Sequence, residues 1–241
     1  MLCWSGRAAL SEAYPNSRRA VGPILGHVPN WDELGQRARE RYEDGEARLP
    51  DDLDARQRQL TRMANAAGAA GLAALMAGRD GAEWLGRAAE RYRESWEHAP
   101  PGSWGRPIGA IKARILAGDW EGAEADARWA LDVGATESES PIGRYAAALA
   151  YAVLGGWDDV RVHADFARTH ETFPNEVADA LAFVAAEDVV GYVEAVETVL
   201  ESFETREEYL EDMPVADTVL VLQALAGRRG MAAELESELL P

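Results

Sequence analysis

Two histidines and one aspartate form the clearest candidate for metal chemistry in the chain. His163 and His170 are seven residues apart, and Asp159 lies four residues before His163. On a helix these three side chains share one face, and imidazole and carboxylate groups so placed are able to bind a divalent cation. No His-Glu-X-X-His or similar motif surrounds them, and a solvated pair on an acidic helix has the same spacing. We therefore expect no bound metal and no other cofactor.

The other nucleophiles and bases lack a catalytic context. Cys3 is the single cysteine and has no basic cluster beside it, so nothing favours its thiolate. His27 and His98 lie in segments flanked by glycine or proline, which are typical of loops. We expect that the protein is not an enzyme. An enzyme with a histidine or carboxylate site remains an alternative.

Composition and charge restrict the classes of partner. The net charge of −18 over 241 residues disfavours nucleic acid and anionic membranes, which bind basic proteins. No segment approaches the roughly 20 apolar residues of a membrane span, and a single cysteine suits a reducing cytoplasm. We expect a cytoplasmic protein with no nucleic-acid and no membrane partner. The acidity fits either a high-salt cytoplasm or partner binding.

Apolar residues recur at helical intervals along most of the chain. Between residues 51 and 77, Leu53, Leu60 and Met63 follow steps of three and seven, and Asp51 or Asp52 is placed to cap this helix. Glycine, proline and aspartate interrupt such segments at short intervals, and period-two alternation is almost absent. The pattern predicts an all-α protein of about 10 to 13 helices.

Two segments repeat one pattern. Trp120 and Trp157 lie 37 residues apart, and Ala127 and Ala164 have the same offset. This offset is the length of a helical hairpin, so the segments indicate an internal repeat. We expect both tryptophans at equivalent hairpin turns, each largely buried against the following pair of helices.

The second unit, "AAALAYAVLGGWDDVRVHADFA", resembles a tetratricopeptide repeat. The resemblance is clearest over residues 104–170 and involves small residues on facing helices and an aromatic residue in the turn. It implies an all-α fold built as a right-handed array of antiparallel helical hairpins, or α-solenoid. The whole chain, residues 1–241, would form one domain in which residues 1–50 pack on hairpins formed by residues 51–241. The last hairpin would span residues 215–238 and turn at "GRRG".

The resemblance also implies a binding surface. In such an array the first helix of each hairpin lines a concave groove. The residues expected to line it are Ile108, Lys112, Ile115, Tyr145, Leu149 and Val153. Because most of these are apolar, the groove suits a hydrophobic or basic protein segment, bound as a helix or an extended peptide. The alternative is that the N-terminal 50 residues of the chain itself fill the groove.

The favoured function is therefore a protein–protein interaction module of tetratricopeptide-like type. A different function follows from the end of the chain, "MPVADTVLVLQALAGRRGMAAELESELLP", which resembles the C-terminal end of some helical immunity proteins of bacterial toxin systems. That resemblance implies a protein that neutralises a toxin. An amphipathic capping hairpin accounts for the same residues.

Overall fold

The computed structural model describes residues 29–241, and within them the prediction of an all-α protein is confirmed. Ten α-helices and no β-strand occupy this range, within the expected number of helices. The helices are α1 (Trp31–Ala47), α2 (Leu53–Met76), α3 (Ala82–Trp96), α4 (Gly105–Leu116), α5 (Trp120–Asp132), α6 (Pro141–Leu154), α7 (Trp157–Arg168), α8 (Asn175–Ala186), α9 (Val189–Glu204) and α10 (Asp217–Gly227).

The helices pack in chain order. Each helix from α1 to α8 contacts the helix that follows it, and further contacts join α4 to α6 and α6 to α8. This order is compatible with a helical-repeat fold. The exception is α10, which returns along the chain to pack on α4 and α8 as well as on α9.

The described part of the N-terminal segment packs at one end of this series. Helix α1 contacts α2, and its Tyr42 is buried in an edge-to-face contact with Trp84 of α3. Residues 1–28, which include Cys3 and His27, lie outside the described range. Most of the prediction that residues 1–50 pack on the helical array therefore concerns residues that the structure does not describe.

Aspartate side chains begin three of the helices. Asp52, Asp119 and Asp188 each accept a hydrogen bond from the backbone N–H three residues later, at 2.8, 2.9 and 3.0 Å. The first turn of a helix leaves its N–H groups without partners, and these carboxylates satisfy one each. The predicted cap of the helix at residue 53 is thus Asp52.

Helices α2 and α3 approach closely at Gly71. A Cβ atom at this position would lie 2.6 Å from Cγ of Leu85 and 3.2 Å from the carbonyl oxygen of Gly81. Gly68, one turn earlier on α2, is different, because a Cβ atom there would meet only Cβ of Ala88 at 3.9 Å. The glycine at 71 is therefore required by packing, and the one at 68 is not.

These two glycines provide a matched test of the α2–α3 contact. Gly71→Ala should lower the free energy of unfolding by about 1–3 kcal/mol, because the added methyl group overpacks the interface. Gly68→Ala should raise it by about 0.5–1 kcal/mol, because alanine loses less backbone entropy in a helix. Urea denaturation of both variants measures the two effects. Equal effects of the same sign would contradict the close approach.

The end of the chain differs from the predicted hairpin. Only α10 forms, and residues 231–241 contain no regular secondary structure. Gln223 of α10 explains how this tail is held: its amide nitrogen donates to the carbonyl of Ala233 at 2.6 Å, and its amide oxygen accepts from Ala233 N–H at 3.0 Å. The backbone of Ala216 also donates to the carbonyl of Leu239 at 3.0 Å. These bonds fold the tail back along α10 in place of a second helix.

Among the helices described, none combines the length and the apolar character that crossing a membrane requires.

Candidate functional site

The six predicted groove residues occupy one continuous face of α4 and α6. Residues 108, 112 and 115 follow one another by single turns of α4, and residues 145, 149 and 153 do so on α6. The two helices are in contact, so the structure brings both sets together as an "α4/α6 face". All six residues are buried, each with no more than 3% of its total surface exposed. Another part of the protein therefore covers them.

The covering element is the C-terminal segment, residues 213–241. Burial raises the pKa of Tyr145 in α6, and the charge of Asp217 at the start of α10 contributes to this rise. Arg228, just after α10, donates a hydrogen bond to the carbonyl of Val153 near the end of α6, at 3.2 Å. Helix α10 packs on α4 and α8, and the turn that follows it reaches the end of α6. Within residues 29–241, the C-terminal segment lies on the α4/α6 face.

A buried ion pair fixes the start of α10. Nζ of Lys112, the only lysine in the sequence, donates to Oδ2 of Asp217 at 2.6 Å and to Oγ1 of Thr218 at 3.0 Å. The lysine side chain is 4% exposed and that of Asp217 is 26% exposed. A buried ammonium group is tolerated only when it has such partners, so this contact specifies where α10 begins on the face.

Two arginines fix the other end. The guanidinium carbon of Arg228 lies 4.4 Å from the ring centre of Trp120, and that of Arg229 lies 4.3 Å from the ring centre of Trp157. These distances are those of cation–π contacts. Arg229 also donates to the carbonyl of Ala185, near the end of α8, at 3.2 Å and forms an ion pair with Glu187. Both arginines thus bond to carbonyl groups near the ends of helices, which lack partners within the helix.

The two tryptophans occupy equivalent positions. Trp120 is the first residue of α5, and Trp157 is the first residue of α7. Both are largely but not fully buried, and one arginine lies over the ring of each. A cavity beside Trp157 is lined by Arg228, Arg229 and Glu124 and opens to the surface. The arginine–tryptophan contacts therefore lie at an accessible edge of the fold.

His163 lies in a packed environment on α7. Its ring stacks on that of Tyr151, with centres 5.5 Å apart and planes at 5°, and its Nδ1 is 3.3 Å from a guanidinium nitrogen of Arg144. Arginine has only donors, so Nδ1 must accept and the ring must be neutral. Burial and the charge of Arg144 lower the pKa of His163, while the charges of Asp159 and Glu137 oppose this.

The candidate metal-binding set of Asp159, His163 and His170 does not form a cluster. His170 contacts Phe166 through its ring and lies 3.0 Å from the carbonyl oxygen of the same residue. Between residues 29 and 241, no group of three histidine, cysteine or carboxylate side chains has a spacing suited to a metal ion. His98 is exposed in the loop after α3.

The lowered pKa of His163 predicts a pH-dependent stability. The folded chain binds this proton less readily than the unfolded chain, whose histidine titrates near its ordinary value of 6.5. Stability relative to His163→Gln should therefore be greatest above about pH 7 and should fall as the pH drops through 6.5 toward the lower pKa of the folded state. Urea denaturation of both proteins at about pH 7.5 and about pH 5.5 measures this difference. An unchanged difference would contradict the neutral, buried ring.

A separate acidic surface lies on α9. Glu194, Glu197, Glu201 and Glu204 are exposed and follow one another at steps of three or four, and α9 contains no basic residue. Val190 at the start of the same helix is 69% exposed. This surface is distinct from the α4/α6 face and has the opposite sign of charge from the arginine-bearing turn after α10.

Asp217, Arg228 and Arg229 are the site residues that sequence reasoning did not assign. A usable signal was present, because no charged residue lies between Asp217 and Arg228. A helix that is apolar on all sides is a buried one, and charges at its two ends need partners on the surface that buries it.

Comparison with known proteins returns no match, whether to a family model, to a curated protein or to a solved structure.

Proposed function

We propose that the protein is a protein–protein interaction module in which helical hairpins form a right-handed, tetratricopeptide-like array. The α4/α6 face would line the concave groove of that array and bind a hydrophobic or basic segment of a partner protein as a helix. Such a role requires no catalytic step and no cofactor. It suits a cytoplasmic protein whose charge of −18 disfavours nucleic acid.

The observation that supports this proposal is the way in which α10 packs on the α4/α6 face. The face already holds an apolar helix, and it does so through the three means that helix-binding grooves use: buried apolar contacts, a charged anchor at one end and aromatic contacts at the other. Val219, Leu222 and Leu225 of α10 are at most 1% exposed. A surface that accommodates one helix this closely has the shape and the chemistry to accommodate another.

A library of displayed helical peptides tests the proposal without changing any buried residue. The immobilised full chain is panned against peptides of about four turns, each carrying a photo-reactive group, and the cross-linked positions are mapped by mass spectrometry. Cross-links should fall on α4, α6 and α8. Cross-links confined to α9 or to α7, or the recovery of no helical binder, would contradict the proposal.

A second candidate function is that of an immunity-type protein that neutralises a basic toxin. The acidic α9 surface favours it, because a row of exposed carboxylates on a helix without basic residues attracts a basic protein and speeds its association. Charge reversal at Glu197 and Glu201 separates the two functions. It should abolish binding of a basic partner at α9 and leave peptides cross-linked to the α4/α6 face unaffected.

A further inference from the structure

The C-terminal segment shows the chemistry of the helix that occupies the α4/α6 face. Between Asp217 and Arg228 the helix has no charged residue, so its body is held by apolar contacts over about three turns. Both ends, in contrast, carry charge. The occupant thus has three parts, and each part meets a different feature of the face.

The first part is a carboxylate. Both hydrogen-bond partners that the structure shows for the ammonium group of Lys112 belong to α10, namely Asp217 and Thr218. A helix without an acidic residue at this place would leave the buried ammonium group unpaired, which is costly. The helix that covers Lys112 therefore carries a carboxylate in its first turn.

The last part is a pair of cations. Trp120 and Trp157 begin α5 and α7. Their rings contact the consecutive arginines Arg228 and Arg229, which lie eleven and twelve residues after Asp217. The two rings occupy equivalent places at the starts of their helices, and each contacts one arginine after the C-terminal end of α10. The number of residues between the carboxylate and the arginines corresponds to the length of helix that the α4/α6 face accommodates.

We propose that the α4/α6 face recognises a helical segment of a partner protein with this three-part pattern, and that the C-terminal segment closes the face until such a helix displaces it. The pattern is a carboxylate in the first turn, an uncharged apolar body and an arginine eleven or twelve residues after the carboxylate. This inference depends on the proposed function, since it specifies the partner of the same face. It makes residues 213–241 an internal competitor of that partner.

A synthetic, fluorescently labelled peptide of residues 213–241 serves as the probe. It is titrated against the full chain and against the Arg228→Ala/Arg229→Ala variant, in which the internal segment has lost both tryptophan contacts. Fluorescence anisotropy should show binding to the variant at least about tenfold tighter than to the parent chain, because the internal competitor is weakened. A second peptide carrying Asp217→Ala should bind the variant at least about tenfold more weakly than the first, because it leaves Lys112 unpaired.

Two further variants control for loss of folding and of charge. Arg37→Ala/Arg48→Ala removes two exposed arginines, one in α1 and one just after it, whose ion-pair partners among residues 29–241 lie in α1. This variant should bind peptide as the parent does. Arg228→Lys/Arg229→Lys keeps both charges and should bind more weakly than the alanine variant, because lysine matches the planar contact poorly. Circular dichroism of each variant establishes that the helices are retained.

Three results would overturn the inference. The first is equal binding of both peptides, because Lys112 would then not distinguish a helix with the carboxylate from one without it. The second is unchanged hydrogen exchange of α10 in the alanine variant, because the arginines would then not hold the segment. The third is faster exchange of α10 without binding of either peptide, because an open face would then accept no helix. If library peptides cross-link to the α4/α6 face but lack the three-part pattern, this inference fails and the proposed function stands.

Discussion

Asp217→Ala should lower the free energy of unfolding by about 3–5 kcal/mol, because it leaves the buried ammonium group of Lys112 without its carboxylate. Lys112→Met should lower the free energy of unfolding by less than Asp217→Ala does. The methionine replaces the apolar stem of the lysine, and the side chain of Asp217, which is 26% exposed, keeps access to water. Urea denaturation of both single variants measures this asymmetry.

The double variant Lys112→Met/Asp217→Ala completes a thermodynamic cycle. It should be more stable than Asp217→Ala alone, since removing both charges removes the unpaired one. If both single variants lost less than about 1 kcal/mol, the pair would behave as an exposed surface ion pair. That outcome would mean that α10 does not bury Lys112.

Leu149→Ala should lower the free energy of unfolding by about 2–5 kcal/mol, because Leu149 is fully buried at the centre of the α4/α6 face and its truncation leaves a cavity. Leu222→Ala, on the α10 side of the same core, should have a similar effect. Thermal or urea unfolding followed by circular dichroism measures both. Val162→Ala is the control: this residue of α7 is 61% exposed, and its loss should change stability by less than about 0.5 kcal/mol.

An exposed groove would give a different result. If no segment covered the face, Leu149→Ala would change stability as little as the control does. The observed burial also means that changes at Tyr145 or Leu149 weaken the fold itself, so these positions cannot report on partner binding alone. For this reason the tests of binding act on the arginines and on the peptide instead.

The helices and several of their starting residues were predictable because their signals are local. The cap at Asp52 and the equivalence of Trp120 and Trp157 follow from residue types at fixed spacings, and the structure places each at the start of a helix. The grouping of the predicted face also follows from helical periodicity, which puts residues one turn apart on one side of α4 and of α6.

What covers the face was not predictable in the same way, because α10 returns to helices that precede it by about a hundred residues. The sequence did hold a sign that residues 231–241 form no helix. Glu234, Glu236 and Glu238 are exposed and alternate with the less exposed Leu235 and Ser237, which is a period of two. Such a short alternation is easily read as part of an amphipathic helix, and only the bonds of Gln223 exclude that interpretation.

Hydrogen exchange of α10 in the full chain, with and without a saturating peptide selected from the helical library, tests whether the α4/α6 face is a helix-binding site. If the peptide takes the place of the C-terminal segment, the amides of α10 (Asp217–Gly227) should exchange faster in its presence, while those of α2 and α3 should not change. Unchanged or slower exchange of α10 with the peptide fully bound would place the binding site elsewhere and contradict the proposed function.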